Sequence, residues 1–305
     1  MLIIGENIHI ISPHVKEAIA TRNTAAVQAL AKEQVEAGAG MLDLNIGPQK
    51  KEGVEVMRWL VPAVQEAVDV PLSLDTTNQE ALDAGLALLT QKGMVNSTSA
   101  EPERLQKLPP LAAKHGARLI ALTMGGGGIP MTAEERVSLA IETLIPRALE
   151  VGIPMEDLYL DPLLMTVSGC QEYCPPAIEA VRYIKQGMDP APMTTCGLSN
   201  VSNRVPAEMR SLLNRVYAVM LMAVGMDTAI ADALDTELMN TIRIVEQRDA
   251  STGAGALLLT LHDRVAAMEE LEPSDVDMSD PEQVAIWKTT QVLLNKVIYT
   301  DAYLR

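Results

Sequence analysis

The chain has 305 residues and a mass of 32.9 kDa, with 24 lysines and arginines against 40 aspartates and glutamates, a formal net charge of −16. This acidity argues against nucleic acid and anionic membrane partners, because both require a basic protein face. Hydrophobic residues make up 48%, which excludes wholesale disorder, and three cysteines are too few and too odd in number for a disulfide framework. The first residues lack the basic region of a secretory signal, and the longest apolar stretch is too short for a membrane span. We therefore expect a cytoplasmic globular protein.

Short apolar runs rich in Ile, Leu and Val recur along the chain and predict eight β-strands. They lie at 2–5, 41–44, 71–74, 93–96, 118–122, 157–160, 192–196 and 228–231. Amphipathic segments lie between them, including 25–37, 79–91 and 133–150, each preceded by a residue able to cap a helix. Continuously apolar strands that alternate with helices indicate a parallel sheet covered on its faces. Eight such repeats favour an α/β fold of the (β/α)8 TIM barrel type over an open doubly wound sheet.

The pattern changes after the eighth repeat. We interpret 1–246 as the barrel, 247–280 as a helical and acidic insertion, and 281–305 as a C-terminal helix that returns to the barrel. The insertion holds an amphipathic helix and the acidic loop 272–280, and it is too short for an independent domain. A proline and an acidic residue then begin the final helix, which we predict over 281–297.

In such a barrel, polar residues at the carboxyl ends of the strands line the active site. Acids and amides dominate these positions: Glu6, Asn7, Asp43, Asn45, Asp75, Asn96, Ser97, Thr123 with Met124, Asp161, Gly197, Ser199 and Asn200. Each acid or amide taken singly is more often only a helix cap, but the complete ring weakens that interpretation. This lining suits a donor-rich ligand such as a pterin, because a carboxylate accepts two parallel hydrogen bonds from a 2-amino-4-oxopyrimidine edge.

Seven motifs carry a resemblance to a known family: LIIGENIH, MLDLNIGP, LSLDTTN, MVNSTSAE, LYLDPLL, CGLSNVSNR and MDTAIADA. With them the chain resembles the pterin-binding methyltransferases over about 1–245 and the last helix, and the combination of GLSNVS, LDTTN and NST is specific. The most similar members are the methyltetrahydrofolate:corrinoid/iron-sulfur protein methyltransferases, including those of corrinoid-dependent demethylation systems. The resemblance implies methyl transfer between N5 of tetrahydrofolate and the cobalt of a corrinoid, and it implies a homodimer.

The resemblance also implies roles for individual residues. Asp75, Asn96 and Asp161 match the pterin anchors of the family, and Asn200 matches the asparagine that hydrogen-bonds N5. Ile230 matches an apolar position beneath the pterin. Further candidates for the site are Gly197, Ser199, Glu6, Asp43, Asn45, Met124, Asn203 and Arg210, the last of which matches an arginine near the site mouth.

The expected chemistry follows from the leaving group. A methyl group on N5 leaves poorly unless N5 gains a proton or a strong hydrogen bond, which Asn200 can donate. Cob(I)alamin is itself a powerful nucleophile, so the protein needs no covalent nucleophile of its own. The ring of acids and amides contains no cluster of metal ligands, so we expect no directly bound metal. Tetrahydrofolate or 5-methyltetrahydrofolate is then the substrate. None of the four histidines lies in the Asp-x-His-x-x-Gly motif of a corrinoid carrier, so we expect the corrinoid to arrive on a partner protein or free.

Two other functions stay open at this stage. Dihydropteroate synthase shares the barrel and the pterin site, but it needs cations after the late strands, where this chain has the mostly neutral GLSNVSNR. A non-enzymatic folate-binding protein is the other alternative. Cys170 and Cys174, with His9 or His14, could suggest a metal site, yet zinc normally takes four closely patterned ligands, so we interpret both as loop cysteines. The direction of methyl transfer also stays open.

Overall fold

The computed structural model describes residues 1–304 and contains all eight predicted strands. They are β1 (Leu2–His9), β2 (Met41–Asn45), β3 (Leu72–Asp75), β4 (Met94–Ser99), β5 (Arg118–Leu122), β6 (Leu158–Asp161), β7 (Met193–Thr194) and β8 (Thr228–Ala231). The strands are parallel in the order β7-β6-β5-β4-β3-β2-β1-β8. Beyond β7, the N–H of Ile230 donates to the carbonyl of Cys196 at 2.8 Å, which brings the two ends of the sheet together. The predicted (β/α)8 barrel is confirmed.

Helices surround this barrel. They are α1 (Pro13–Thr21), α2 (Thr24–Glu36), α3 (Gly53–Gln65), α4 (Gln79–Leu86), α5 (Pro102–Lys114), α6 (Ala133–Leu139), α7 (Ile145–Glu150), α8 (Val167–Cys170), α9 (Cys174–Gly187), α10 (Ala207–Ala223), α11 (Thr236–Gln247), α12 (Gly253–Ala266) and α13 (Pro281–Leu293). The side chains of Asn23, Asn78 and Asp280 accept hydrogen bonds from the first turns of α2, α4 and α13. Thr132 and Glu135 form a capping box at α6. None of the helices in residues 1–304 is long and apolar enough to cross a membrane.

Two predicted helices differ from the observed ones for identifiable reasons. The helix predicted over 79–91 ends at Leu86, because the side chain of Gln65 on α3 binds the carbonyl of Leu88 and the N–H of Thr90. The segment predicted over 133–150 contains a π-helical turn (Ala140–Leu144) between α6 and α7. Pro146 in the first turn of α7 has no N–H to donate, and a wider turn accommodates this break in the ladder.

The final helix is also shorter than predicted. It ends at Leu293, and Asn295 just beyond it takes a left-handed φ of 57°. The side chain of buried Gln171 then donates to the carbonyl of Val297 at 2.9 Å and accepts from the N–H of Tyr299 at 2.6 Å. These tertiary hydrogen bonds replace the helical ones, so the chain after α13 packs beside the segment that follows β6 instead of continuing the helix. Residue 305 lies outside the described residues.

Inward-facing side chains fill the lower part of the barrel. A small apolar cluster consists of Ile4, Met41, Met94, Ile120 and Tyr159, each at most 7% exposed. Side chains two residues further along a strand point to the same face. The residues that follow this cluster by two positions are Glu6, Asp43, Asn96, Leu122 and Asp161. The apolar cluster is therefore the floor on which a polar layer sits at the carboxyl ends of the strands.

The segment after α11 packs on the outside of the barrel. Helix α12 contacts α10 and α11, and α13 contacts α10 and α12. Arg182 on α9 is 3% exposed and donates to the carbonyls of Val265, at 2.7 Å, and Ala266 at the end of α12. This buried guanidinium thus links the 247–280 segment to a barrel helix.

Candidate functional site

A cavity of about 470 Å³ opens at the carboxyl ends of the strands. Its lining comes from the barrel strands and the loops that follow them: Glu6, His9, Ile11, Asp43, Asn45, Asp75, Asn96, Ser97, Leu122, Asp161, Leu163, Gly197, Ser199, Asn200, Asn203 and Ile230. Among these described residues there is no lysine or arginine. Carboxylates and amides make up half of the sixteen lining residues, as the ring of strand-end residues predicts.

Strand register places the polar residues of four neighbouring strands at one level. His9 of β1 is the register partner of Asn45, Asn45 is the partner of Asp75, and Asp75 is the partner of Asn96. Residues paired in adjacent parallel strands lie side by side. These four side chains therefore form one layer across β1 to β4, above the apolar floor.

The amide of Asn45 orients Asp75. Its Nδ2 donates to Oδ2 of Asp75 at 2.5 Å, while its own Oδ1 accepts from the N–H of Gly47 at 3.0 Å. With both ends of the amide occupied, Asn45 has no freedom to turn over. One carboxylate oxygen of Asp75, Oδ1, is left to accept from a ligand.

Asn96 is oriented in the same way from below. Its Nδ2 donates to Oδ1 of Asp43 at 3.1 Å, and that oxygen also accepts from the hydroxyl of Ser73 at 2.6 Å. Asp43 is 3% exposed, so these bonds satisfy a buried carboxylate. The free atom of Asn96 is then its carbonyl oxygen, an acceptor.

Asp161 supplies the third acceptor, at the end of β6. Its Oδ1 accepts from the N–H of Leu163 at 2.7 Å, which leaves Oδ2 for a ligand. Together with Asp75 and Asn96, it presents three acceptor oxygens to the cavity when the two carboxyl groups are ionised. The buried part of the cavity therefore favours a ligand edge rich in N–H groups.

Burial raises the pKa of every carboxyl group in this cavity. It raises the pKa of Asp161 to about 7, against the Leu163 N–H and the Arg136 guanidinium, which both lower it. The pKa of Glu6 also rises to about 7 through burial, while a 2.6 Å hydrogen bond from Ser199 opposes the shift. For the neighbouring pair Asp43 and Asp75, burial raises both pKa values, and the charge of Asp43 raises that of Asp75 further. An N–H-rich ligand would favour the ionised forms.

Asn200 lies at the exposed rim, in the loop after β7. Its Oδ1 accepts from Nδ2 of Asn203 at 3.2 Å, so its own Nδ2 is left to donate. Gly197 makes room for this amide, because a Cβ at that position would lie 2.8 Å from Nδ2 of Asn200. The loop therefore presents one N–H donor beside the acceptor-rich part of the cavity.

Four of the residues selected from the sequence lie outside the cavity lining, namely Asn7, Thr123, Met124 and Arg210. Met124 is part of the loop after β5, where its carbonyl accepts from the N–H of Ala100 at 2.8 Å. Arg210 is exposed on α10, and its Nε donates to the carbonyl of Val205 at 2.7 Å. The remaining candidates, Glu6, Asp43, Asn45, Asp75, Asn96, Asp161, Gly197, Ser199, Asn200, Asn203 and Ile230, all contribute to the lining.

The lining also includes residues that were not selected from the sequence, namely His9, Ile11, Leu122 and Leu163. β1 was predicted to end at residue 5 but extends to His9 through a register shift between Gly5 and Ile8. The apolar residue Ile8 after the predicted end is the signal that could have extended the strand.

The metal hypothesis has no geometric counterpart in residues 1–304, where no group of three or more His, Cys, Asp and Glu side chains could hold an ion. Cys170 is half-buried and Cys174 is buried. Burial raises the pKa of the Cys174 thiol to about 12, which makes it a poor thiolate ligand. The two cysteines remain ordinary loop and helix residues.

Comparison with known proteins gives sequence relatives of two kinds. A methylcorrinoid:tetrahydrofolate methyltransferase from Eubacterium limosum is 34% identical over 247 residues, 79% of this chain and 89% of that protein. Methionine synthase from Mycobacterium tuberculosis is 31% identical over 261 residues, 82% of this chain but 22% of that longer protein. Both named relatives are methyltransferases, which confirms the resemblance found in the motifs.

Solved structures share the fold at lower identity. Dihydropteroate synthase from Yersinia pestis with a pterine-sulfa conjugate has a TM-score of 0.58 and 19% identity, covering 81% of this chain and 93% of its own. The enzyme from Stenotrophomonas maltophilia has a TM-score of 0.61 and 18% identity, covering 82% and 94%. These similarities bear on the barrel alone. The pterin binding enzyme family matches residues 12–232, more than half of the chain, and this range contains all of the cavity lining except Glu6, His9 and Ile11. The chain therefore belongs to the family of pterin-binding enzymes.

Proposed function

We propose that this protein transfers a methyl group between N5 of tetrahydrofolate and the cobalt of a corrinoid. The observation that carries the proposal is the set of three oriented acceptors at the buried end of the cavity, Asp75, Asn96 and Asp161. The pyrimidine edge of a tetrahydropterin offers its 2-amino group and ring N–H groups to such acceptors. The named Eubacterium and Mycobacterium relatives support a methyltransferase.

The side chain of Asn200 is suited to the leaving-group problem. In the demethylation direction, the electron pair of Co(I) attacks the methyl carbon, the Co–C bond forms and the C–N5 bond breaks. The released electron pair stays on N5, which then takes a proton from solvent. Because Asn203 occupies Oδ1 of Asn200, the Nδ2 hydrogen is left to stabilise that pair as it develops.

We propose that the corrinoid is a second substrate, delivered by a corrinoid protein or taken up free. The cavity is open on the side of Ile11, Asn200 and Asn203, which are all exposed. A large planar macrocycle can approach N5 only from that side, since the opposite end is closed by the apolar floor. The three free cysteines also support a cytoplasmic enzyme.

The test combines binding and turnover on the purified full chain. Calorimetric titration with 5-methyltetrahydrofolate in excess chelator is expected to show stoichiometric binding. The reason is that the proposed contacts between the cavity and the pterin are hydrogen bonds, which require no metal. Stopped-flow mixing with cob(I)alamin is expected to show methyl transfer, and methylcob(III)alamin with tetrahydrofolate the reverse. Loss of binding in chelator would contradict metal-free recognition.

The alternatives give different outcomes in the same preparation. Condensation of a dihydropterin pyrophosphate with p-aminobenzoate, without methyl transfer, would identify a dihydropteroate synthase. Stoichiometric folate binding with neither reaction would identify a folate-binding protein. A corrinoid that co-purifies and colours the protein would contradict delivery from outside.

A further inference from the structure

The cavity has a buried end and an exposed end. Asp43 and Asp161 at the buried end are 3% and 6% exposed, whereas Ile11 at the other end is 82% exposed. Under the proposed function, the acceptors of the buried end hold the pyrimidine edge of the pterin. The p-aminobenzoylglutamate arm, attached at the opposite edge of the pterin, must then leave through the exposed end.

β1 and the loop after it form one wall of that exposed end. His9 ends β1 at the level of Asn45 and Asp75, and Ile11 follows two residues later. The hydrogen bond from Ser199 to Glu6, at 2.6 Å, holds β1 against the loop that carries Asn200. His9 and Ile11 therefore stand beside the route by which the arm leaves.

The two side chains match the chemistry of the arm. Neutral histidine has one donor and one acceptor nitrogen, and the arm offers an N–H at N10 and a benzoyl carbonyl. Burial lowers the pKa of His9, against the nearby Asp232 carboxylate, which favours the neutral ring at physiological pH. The apolar side chain of Ile11 can pack on one face of the p-aminobenzoyl ring.

We propose that His9 and Ile11 form the subsite for the p-aminobenzoyl arm of the folate. This inference rests on the proposed function and adds to it the part of the substrate that the acceptor layer does not contact. It makes both residues determinants of specificity for folates over free pterins.

The experiment compares two ligands that differ only in the arm. Calorimetry would measure the Kd of 5-methyltetrahydrofolate and of 5,6-dimethyltetrahydropterin for wild type, His9→Ala and Ile11→Ser. We expect His9→Ala to weaken the folate about tenfold, the effect of one lost hydrogen bond. Ile11→Ser is expected to weaken it about fivefold through lost apolar contact. The Kd of the armless pterin should stay within about twofold of the wild-type value in every variant, since the acceptor residues at the buried end of the cavity are unchanged.

Matched controls come from the same molecule. His14→Ala changes an exposed histidine on α1, and Ile141→Ser changes an isoleucine 50% exposed on the outer helical layer. Both are expected to bind the two ligands as wild type does.

Equal weakening of folate and pterin by His9→Ala and Ile11→Ser would overturn the subsite, as would unchanged folate binding in both. Wild-type protein that binds the armless pterin and the folate equally well would also overturn it. Binding of neither ligand by wild type would overturn the proposed function itself, and the subsite with it.

Discussion

At the scale of single residues, the site depends on which atoms of each amide and carboxylate are already occupied. Asn45 occupies one oxygen of Asp75, and Asp43 occupies the donor of Asn96. Asn203 in turn occupies the acceptor of Asn200. An amide has both donor and acceptor atoms, and these partners occupy one of them. The result is a set of fixed acceptors at the buried end of the cavity and one fixed donor at its rim.

The donor at the rim gives a prediction about rate. Asn200→Ala is expected to raise the barrier to methyl transfer by roughly 2–4 kcal/mol, about 30- to 1000-fold in rate, as deletion of one preorganised donor does. Folate affinity should change far less, because the acceptors of the buried end are untouched. Stopped-flow turnover in both directions, beside a folate titration and a melting curve, measures both effects.

Asn203→Ala serves as the control for orientation in this experiment. It leaves the donor of Asn200 in place but frees its amide to turn, so we expect a smaller loss of rate. Equal losses of binding and rate in Asn200→Ala would make this residue a pterin anchor. Normal turnover with a loss of stability of about 1 kcal/mol would make it only a turn residue.

The raised pKa of Asp161, about 7, predicts that folate affinity depends on pH. Above that pH the Asp161 carboxylate is already ionised and adds no further pH dependence to the affinity. As pH falls through about 7, the group must lose a proton before it can accept from the ligand, so affinity falls, approaching tenfold per pH unit for one such group. Calorimetry in two buffers of different ionisation enthalpy at about pH 6 should show proton release on binding.

Asp161→Asn and Asp161→Ala separate charge from contact in that titration. Asp161→Asn keeps an acceptor oxygen without the charge, so the folate affinity of this variant should lose part of its pH dependence. Asp161→Ala should weaken binding by roughly 2–3 kcal/mol, the range for a lost charge-assisted hydrogen bond. Wild-type affinity that is constant from about pH 5.5 to 8 would show that these carboxylates do not hold the ligand edge as anions.

At the scale of elements, the strands follow the regular alternation of the barrel, whereas the segments between them depart from it in length and conformation. β1 continues past its predicted end through a register shift, and α6 and α7 are separated by the turn before Pro146. The 247–280 segment is attached from outside by Arg182. The elements that build the cavity and the elements that pack around it are thus held by separate contacts.

Arg182→Met is expected to lower the free energy of unfolding by roughly 1–3 kcal/mol. It leaves the end of α12 without its guanidinium partner while it keeps most of the side-chain volume. Folate affinity should be unchanged, since α9 and α12 lie outside the cavity lining. Urea unfolding beside folate titration tests this. The control is Arg243→Met, at an exposed position of α11, which is expected to change the free energy of unfolding by no more than about 0.5 kcal/mol. A loss of affinity would show that the packing of the segment shapes the site.

At the scale of the whole molecule, the resemblance to the methyltransferases predicts a homodimer. Residues 1–304 form one barrel with the cavity at the carboxyl ends of its strands, so each subunit would keep its own mouth open to a corrinoid protein. Light scattering at about micromolar concentration is expected to give twice the mass of the chain, as a closed two-fold assembly requires. A mass of one chain would contradict the dimer.

The sequence by itself determined the repeat of the molecule and the chemistry of its strand ends. All eight strands lie where the apolar runs predict them, and Asn23, Asn78, Thr132 and Asp280 cap the helices that follow them. Both signals are local, because they depend on residues within one turn or one strand of each other. A parallel barrel then brings all strand ends to one face, so acids and amides scattered along the chain predict one polar ring.

Only the tertiary structure decided what each of those residues does. Ser199 and Glu6 are 193 positions apart, and Asn45 and Asp75 are 30 apart, so no local pattern shows that one orients the other. The same holds for the burial that raises the pKa of Asp161 and for His9, which enters the lining through a shift of register. Met124 and Arg210 lie outside the cavity for the same reason, since the path of a loop depends on its distant partners. The amino-acid sequence determines which residue types stand at the strand ends. Their tertiary neighbours, which are brought together only by folding, determine which of their atoms are free to bind a ligand, whether they are ionised and how far they are exposed.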